Sequence, residues 1–175
     1  MPLLHRLQPV CRATLMGLAL LLASSPAIAL EPPTGQVLLK VGGAITTTNV
    51  GDEAHFDREM LLALPQRQTL TATPWHEGTV AFSGPLGREL LAAVGAHGET
   101  LRVVALNDYE ANLPVADLQR YDVILAMTKN GEPLRVRDQG PLFVIYPFDE
   151  APHLLNEEIL SRSVWQVARI HVLGD

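Results

Sequence analysis

Short runs of alternating apolar and polar residues recur along the chain from residue 37 onward, and such runs predict half-buried β-strands. The predicted strands span residues 37–41, 68–73, 79–82, 101–106, 123–127, 134–136, 142–146 and 164–173. Of these, 101–106 is predicted to be buried, and 142–146 is nearly continuously apolar rather than alternating. Between two of them lies Asn130-Gly131, a dipeptide that strongly indicates a hairpin turn. In the last strand the alternation predicts one shared face for five residues, namely Val164, Gln166, Ala168, Ile170 and Val172.

Apolar positions at helical spacing predict a few short helices between these strands. Asp57 is predicted to cap a helix that Pro65 ends, and Ser83 is predicted to cap a second helix that Gly95 ends. Two further helical segments are expected, at 114–118 and 152–160. Short strands with a few peripheral helices indicate an α+β domain built around a twisted mixed β-sheet.

The first 29 residues have the three parts of a secretory signal peptide. Basic residues precede an apolar run at 15–23, and Ala27-Ile28-Ala29 supplies a small-x-small cleavage site. An uncleaved membrane anchor is the alternative, but spanning a bilayer takes about 20 apolar residues. We therefore expect residues 1–29 to be removed, the mature protein to be periplasmic, and residues 30–175 to form a single domain.

Removal of that segment leaves 11 basic and 19 acidic residues, so the formal net charge becomes −8. No basic stripe remains in the sequence, which argues against nucleic acid and against an anionic membrane surface as partners. Cys11 is the only cysteine and lies in the segment expected to be removed. The mature domain is therefore expected to contain no disulfide, and the histidines include no pair at metal-ligand spacing.

A series of short motifs between residues 68 and 172 carries a family resemblance. The motifs are Phe82-Ser83-Gly84 followed by Leu90-Leu91, Asn107-Asp108-Tyr109, Leu113-Pro114, Ile124-Leu125-Ala126, Asn130-Gly131-Glu132-Pro133-Leu134, Gly140-Pro141-Leu142 and Val164-Trp165. Their content and order resemble the molybdopterin-binding domain of the sulfite oxidase family. The resemblance implies the sulfite oxidase-like fold and, in the metal-containing members, molybdenum held by a cysteine thiolate.

Two departures from the family pattern bear on function. The family's cysteine falls in the region Thr69–Thr73, where this chain offers no soft sulfur ligand for molybdenum. The single expected domain also lacks the dimerisation and haem domains of larger sulfite oxidases. In both respects the chain resembles a small exported branch of the fold that has lost the metal, binds free pterins and reports to a membrane-bound cyclic-di-GMP enzyme.

The resemblance thus implies a periplasmic pterin-binding protein that acts as a ligand sensor for the periplasmic domain of a membrane signalling protein. In this interpretation the protein is not an enzyme, and pterin is its ligand without any redox group. The alternative is a molybdopterin-dependent oxidoreductase of the sulfite oxidase family in which another group replaces the thiolate.

Two tryptophans are candidates for the flat faces of a pterin site, because such sites need aromatic or apolar walls. Trp75 follows Pro74 in a predicted loop, an unusual place for a purely structural tryptophan. Trp165 lies in a predicted strand and either packs in the core or faces the ligand.

Polar candidates cluster where a predicted buried strand ends, since strand ends commonly carry binding groups. Asn107, Asp108 and Tyr109 follow that strand, and the Asp108 carboxylate is the preferred partner for the amino and ring N–H donors of a pterin. Asp149 and Glu150 are second choices for the same role. A simple turn is the alternative, because Asn-Asp favours turns whatever the function.

Two arginines and a serine complete the candidate set. Arg162 and Ser163 precede Trp165, and Arg137 shares one face of a predicted strand with Arg135. The arginines can meet a carbonyl or hydroxyl of the pterin, and solvated ion pairing is the alternative for the strand pair. The predicted ligand-binding residues are therefore Trp75, Asn107, Asp108, Tyr109, Arg137, Arg162, Ser163 and Trp165.

Overall fold

The computed structural model describes residues 30–174. The predicted signal peptide at 1–29, with its cysteine, lies outside the described residues and stays a prediction. Within 30–174 no helix is both long enough and apolar enough to cross a membrane.

Short strands dominate the described residues, and the helices are all brief. In chain order the elements are β1 (Leu39–Gly43), β2 (Ala54–Phe56), α1 (Arg58–Ala63), β3 (Gln66–Ala72), β4 (Thr79–Pro85), α2 (Gly87–Ala93), β5 (Thr100–Ala105), β6 (Glu110–Pro114), α3 (Val115–Arg120), β7 (Ile124–Ala126), β8 (Thr128–Lys129), β9 (Glu132–Pro133), β10 (Phe143–Ile145), α4 (Glu157–Arg162) and β11 (Val167–Leu173). Two 3-10 helices occupy Val136–Asp138 and Pro152–Leu154.

The strands form two sheets and a separate ribbon. The larger sheet has the order β2-β1-β11-β5-β6, in which β1 and β11 run parallel and the other neighbours antiparallel. The second sheet has the order β3-β4-β8-β9, and β7 pairs with β10 as an antiparallel ribbon. Parallel and antiparallel pairs with few helices confirm the predicted α+β fold with a mixed sheet.

The ribbon of β7 and β10 separates two hydrophobic cores. Leu125 and Val144 belong to the larger core, which packs against the five-stranded sheet. Ile124, Phe143 and Ile145 belong to the smaller core, together with residues of β4. Burial on both faces explains why this part of the chain is an almost unbroken apolar run rather than an alternating one.

Capping predictions are confirmed at one helix and wrong at another. Asp57 caps α1, and its Oδ1 accepts a hydrogen bond from the backbone N–H of Met60 at 3.0 Å. The second helix, α2, begins at Gly87 after Leu86 and has no side-chain cap, because Ser83 lies inside β4. Gly95 does follow the end of this helix, with a φ of 60° that favours glycine.

The hairpin turn at Asn130-Gly131 is confirmed, although its strands differ from the prediction. β8 and β9 flank the turn, and its residues have φ values of 51° and 82°, both positive as a type I′ turn requires. The strand predicted at 134–136 is wrong. The chain instead enters the 3-10 helix Val136–Asp138, so Arg135 and Arg137 share no strand face.

The predicted start of the last strand is also wrong. Gln166 adopts a φ of 56°, and β11 therefore begins only at Val167. A register shift between Val167 and Arg169 then interrupts the alternation that the sequence pattern assumed. Trp165 consequently lies before the strand, where it forms an isolated β-bridge with Phe143.

Candidate functional site

Three aromatic rings meet where the loop after β3, the ribbon and the segment before β11 come together. The ring centroids of Trp75 and Trp165 are 5.6 Å apart and their planes are 80° from parallel. Phe143 lies 5.6 Å from Trp75 and 6.0 Å from Trp165, again tilted or edge-on. Phe143 is fully buried, whereas Trp165 is 37% exposed. Edge-on packing holds the two indoles in place and leaves part of Trp165 open.

The two indoles belong to the wall of a cavity of about 320 Å³. That volume is near the lower end of the range for small-molecule sites, which is about 300–1,000 Å³. The lining residues are Trp75, Ala105, Asn107, Tyr109, Leu160, Ser161, Ser163, Val164 and Trp165. No acidic, basic or histidine side chain is in this lining, so the cavity offers apolar surface with a few neutral polar groups.

The four-residue turn at 106–109, between β5 and β6, determines which polar side chains face the cavity. Asp108 donates its N–H to the carbonyl of Ala105 at 3.1 Å, and Ala105 donates to the carbonyl of Tyr109 at 2.9 Å. Asp108 adopts a φ of 62°, the left-handed conformation with which such a turn closes. Asn107 and Tyr109 line the cavity, whereas Asp108 between them does not.

Helix α4 and the residues after it form the opposite wall. Asn156 caps the start of α4, and Ser163 follows its last turn. The Ser163 hydroxyl donates to the carbonyl of Ile159 at 3.0 Å, and the Ser161 hydroxyl donates to the carbonyl of Glu158 at 2.7 Å. Both hydroxyls thus donate their protons to backbone carbonyls of α4. Their oxygen lone pairs remain able to accept hydrogen bonds.

Tyr109 connects the two walls. Its hydroxyl donates to the carbonyl of Ser161 at 2.9 Å, while the residue as a whole remains 47% exposed. Asn107 accepts from the backbone N–H of Tyr109 through Oδ1 at 3.2 Å, and its Nδ2 makes no hydrogen bond to any described residue. The amide N–H₂ of Asn107 is therefore the donor that this rim can offer to a ligand.

Five of the eight predicted ligand-binding residues lie around this one cavity: Trp75, Asn107, Tyr109, Ser163 and Trp165. Asp108, Arg137 and Arg162 do not line it. Their role as ligands, and that of the other five, stays a prediction. Sequence reasoning missed Ala105, Leu160, Ser161 and Val164, and only the nearness of Ser161 and Val164 to the predicted Ser163 pointed toward them.

Arg162 is directed away from the cavity into an ion-pair network. Its Nη1 lies 3.0 Å from Oδ2 of Asp117, and its Nη2 contacts Glu158. The same Asp117 oxygen accepts from the hydroxyl of the fully buried Tyr146 at 2.9 Å. Burial and then the Asp117 charge raise the pKa of Tyr146, so this hydroxyl stays protonated and donates. The network joins α3, α4 and the segment after β10.

The remaining charged candidates also contact protein groups elsewhere. Arg137 is strongly exposed, and its nearest carboxylate is the neighbouring Asp138 at 3.5 Å. Asp149 accepts from the backbone N–H of Ala72 at 3.0 Å, at the end of β3. Glu150 accepts two hydrogen bonds from Arg67. None of these three side chains is in the lining of the cavity.

The strand that the resemblance assigns to the cysteine has an unusual orientation. β3 buries Thr69 and Thr71, and Thr73 just after it is buried too, whereas Leu70 is 56% exposed. The Thr73 hydroxyl is 2.8 Å from Nδ1 of His76. Burial, followed by the charge of Lys129, lowers the pKa of His76. This polar pair flanks Trp75 in the chain, and the His76 ring packs edge-on against Phe82.

The family profile described as the oxidoreductase molybdopterin-binding domain matches residues 48–150, more than half of the chain. The chain belongs to this family. Among solved structures, the chain is similar to the sulfane dehydrogenase SoxCD from Paracoccus pantotrophus, with 19% sequence identity and a TM-score of 0.59. The likeness covers 78% of this chain but only 38% of that one, and at this identity it shows the fold alone. No curated protein matches the sequence.

The residues present fit the organic ring of a molybdopterin better than its metal. The described residues contain no cysteine, and among them no three histidine, cysteine or carboxylate groups cluster as a metal site would require. The cavity lining also provides no arginine or lysine for a cofactor phosphate. Aromatic walls with neutral donors and acceptors suit a flat heterocycle.

Proposed function

We propose that this oxidoreductase-like domain binds a free pterin in the cavity between Trp75 and Trp165 and carries no molybdenum. One observation supports the proposal above the others. Residues from a loop, a hairpin turn and the end of a helix converge on one cavity that has aromatic walls, neutral polar groups and no charged lining residue. A pterin is a flat, neutral bicycle with a donor-acceptor edge, and it needs this combination.

The hydrogen-bonding groups around the cavity complement that edge. The Ser161 and Ser163 oxygens have used their protons on backbone carbonyls, so they accept from amino and ring N–H groups. The Nδ2 of Asn107 is a donor for the ring carbonyl. Because groups left unpaired in a dry site are costly, this pattern favours pterins over flat hydrocarbons of similar size.

We also propose that the protein is a periplasmic sensor, in which pterin binding alters contact with the periplasmic domain of a membrane-bound cyclic-di-GMP signalling protein. The support is the resemblance of the sequence to the exported, cysteine-lacking branch of the family, together with the predicted signal peptide. Co-purification of such a membrane protein in a pterin-dependent manner is the measurement for this part of the proposal.

Intrinsic fluorescence gives a direct test of pterin binding, because the chain has two tryptophans and both line the cavity. Titration with unsubstituted pterin is expected to quench the emission saturably. Trp165→Ala and Asn107→Ala are expected to raise the Kd, measured by calorimetry, by about tenfold or more, since each removes a ring face or a hydrogen bond. Asp108→Asn is the matched control from the same turn, because asparagine tolerates the left-handed conformation found at this position, and it is expected to leave the Kd unchanged. Absence of saturable quenching contradicts the proposal.

The family match favours one competing function, a molybdopterin-dependent oxidoreductase in which some group other than cysteine holds the metal. Elemental analysis of protein purified from its own host separates the two. We expect less than stoichiometric molybdenum. One molybdenum atom per chain, retained after gel filtration, overturns the proposed function and favours the oxidoreductase.

A further inference from the structure

The outward face of the five-stranded sheet gathers cationic side chains from three neighbouring strands. Lys40 of β1 lies directly opposite Arg169 of β11. Two residues further along β11, His171 lies opposite Arg102 of β5. All four side chains are exposed. We call this group, Lys40, Arg102, Arg169 and His171, the basic face.

Such a grouping opposes the stability of the isolated domain. Like charges placed directly across neighbouring strands destabilise a sheet, and Lys40 opposite Arg169 is such a pair. Within 30–174, neither Lys40 nor Arg102 has a carboxylate at ion-pair distance, and Arg169 has only Asp108, at 3.7 Å. Arg67, Arg88 and Arg162, in contrast, each contact two carboxylates.

The basic face is also an exception to the charge of the whole protein. The mature chain is expected to carry a net charge of −8, yet three of its 11 lysine and arginine residues lie on adjacent positions of one sheet surface. The carboxylates of Glu53, Asp108 and Glu110 balance the formal charge of the hollow around these cations. Three cationic side chains that lie next to one another still attract acidic side chains at short range, and the acidic remainder of the molecule repels large polyanions.

The surface is concave and continues into an apolar strip. A hollow of about 400 Å³ lies over Lys40, Arg102, Arg169 and His171. A second hollow of about 310 Å³ adjoins it through Lys40, Asp108 and Arg169, and its lining includes Leu38 and Leu106. Leu106 is 52% exposed, so this strip offers a contact for an apolar side chain.

We propose that the basic face and this apolar strip dock an acidic segment of a partner protein in which carboxylates alternate with apolar residues. Charge complementarity and the neighbouring apolar strip both match such a segment. Glu53, Asp108 and Glu110 border the same hollow. Those carboxylates repel a uniform polyanion or an anionic membrane, whereas a protein segment can place neutral or basic residues beside them. The proposal goes beyond the pterin site and does not depend on it.

The test uses fluorescein-labelled peptides of equal length and the purified protein without pterin. One peptide alternates glutamate with leucine and alanine, the second replaces glutamate with glutamine, and the third replaces it with lysine. Fluorescence anisotropy is expected to show saturable binding of the glutamate peptide, with a Kd lower by about tenfold or more than that of the glutamine peptide. The lysine peptide is expected not to bind.

Charge-reversed variants locate the binding. The double variant Arg102→Glu with Arg169→Glu is expected to lose about tenfold or more in affinity for the glutamate peptide. Arg135→Glu with Arg137→Glu makes the same change in net charge at exposed residues outside the basic face, and it is expected to bind as the unchanged protein does.

Three outcomes overturn the proposal. One is the absence of saturable binding of the glutamate peptide, and another is an equal loss in both double variants, which indicates only long-range attraction. The third is tighter binding of heparin fragments or of phosphatidylglycerol vesicles than of the peptide, with the same loss in Arg102→Glu/Arg169→Glu, which assigns the face to a polyanion or to a membrane. Because pterin is absent from each assay, these outcomes are independent of the cavity.

Discussion

Arg162 lies beside the cavity in the sequence, yet its guanidinium holds two helices together. Arg162 and Asp117 are mostly buried, with side chains 17% and 15% exposed, and Tyr146 completes the network. Arginine supplies a planar, permanently charged group that can contact Asp117 and Glu158 at once. This arrangement positions the end of α4, and with it Ser161 and Ser163 on the cavity wall.

We expect Arg162→Ala to lower the free energy of unfolding by about 1.5–3 kcal/mol, because the mostly buried Asp117 carboxylate loses a charged hydrogen-bond partner. Urea denaturation followed by circular dichroism measures the change. Arg137→Ala is the matched control, since its side chain is 72% exposed, and we expect a change within about 0.5 kcal/mol. Equal stability of Arg162→Ala and the unchanged protein contradicts the structural role.

His76 makes stability depend on pH in a predictable direction. Its folded-state pKa is lowered below 6.5, first by burial and then by Lys129, so the unfolded chain takes up the proton more readily. Stability contributed by neutral His76 is therefore complete above pH 6.5 and is lost as the pH falls from 6.5 through the folded-state pKa. We expect His76→Gln to show a smaller fall in Tm across this window. Parallel Tm curves for the two proteins contradict this assignment.

At the scale of elements, two glycines illustrate different reasons for needing no side chain. Gly131 has a φ of 82° and open space around it, so Gly131→Ala meets only backbone strain. Gly84 of β4 lies against β7, where an added Cβ is placed 2.0 Å from the carbonyl oxygen of Leu125. A side-chain rotation cannot relieve the contact at Gly84, because the opposing atom belongs to the backbone of Leu125.

We expect Gly131→Ala to lower the free energy of unfolding by about 1–2 kcal/mol, the cost of a left-handed residue with a Cβ. Gly84→Ala is expected to cost clearly more, because it separates β4 from the ribbon. Thermal unfolding of both variants, with Gly131→Asn as a milder control at the same position, ranks these costs. A Gly84→Ala protein as stable as Gly131→Ala contradicts this ranking and shows that the ribbon moves at no greater cost than the backbone strain at Gly131.

Elements defined by local chemistry were predictable from the sequence. The hairpin at Asn130-Gly131 and the cap at Asp57 follow from the residues themselves, since both depend on nearby backbone atoms. The start of β11 was not predictable in this way. Gln166 takes a left-handed conformation while its backbone bonds to Gln139 and Leu106, residues distant in the sequence. Long-range contacts override the alternation there.

The candidate site shows the same division between local and long-range information. Sequence reasoning found both indoles and the turn after β5, because aromatic residues in loops and polar residues at strand ends are visible in the sequence. Asp108 does not line the cavity, because it is the left-handed residue between Asn107 and Tyr109 and its carboxylate lies near Arg169, and its role as a ligand stays a prediction. The Ser161 hydroxyl was missed because the wall at α4 is assembled only by packing.

At the scale of the whole molecule, the turn between β5 and β6 belongs to both surfaces of the protein. Asn107 and Tyr109 line the cavity, and Asp108 borders the basic face. The Asp108 carboxylate lies 3.7 Å from Arg169, so we expect it to compete with an incoming acidic side chain for the same guanidinium. We expect a ligand that fixes this turn to favour the contact between Asp108 and Arg169, and a docked acidic segment to disfavour it.

We therefore expect pterin and the glutamate peptide to weaken each other's binding. Linkage requires the two effects to be equal, and a coupling free energy of about 1 kcal/mol corresponds to about a fivefold rise in each Kd. Anisotropy titrations of the peptide with and without saturating pterin measure the coupling. In Asp108→Asn, which removes the charge and keeps a residue that tolerates the left-handed conformation, we expect the peptide to bind more tightly and the coupling to vanish, with pterin affinity unchanged. A coupling that persists in Asp108→Asn shows that the turn does not transmit it, since the carboxylate is then absent while both binding surfaces remain.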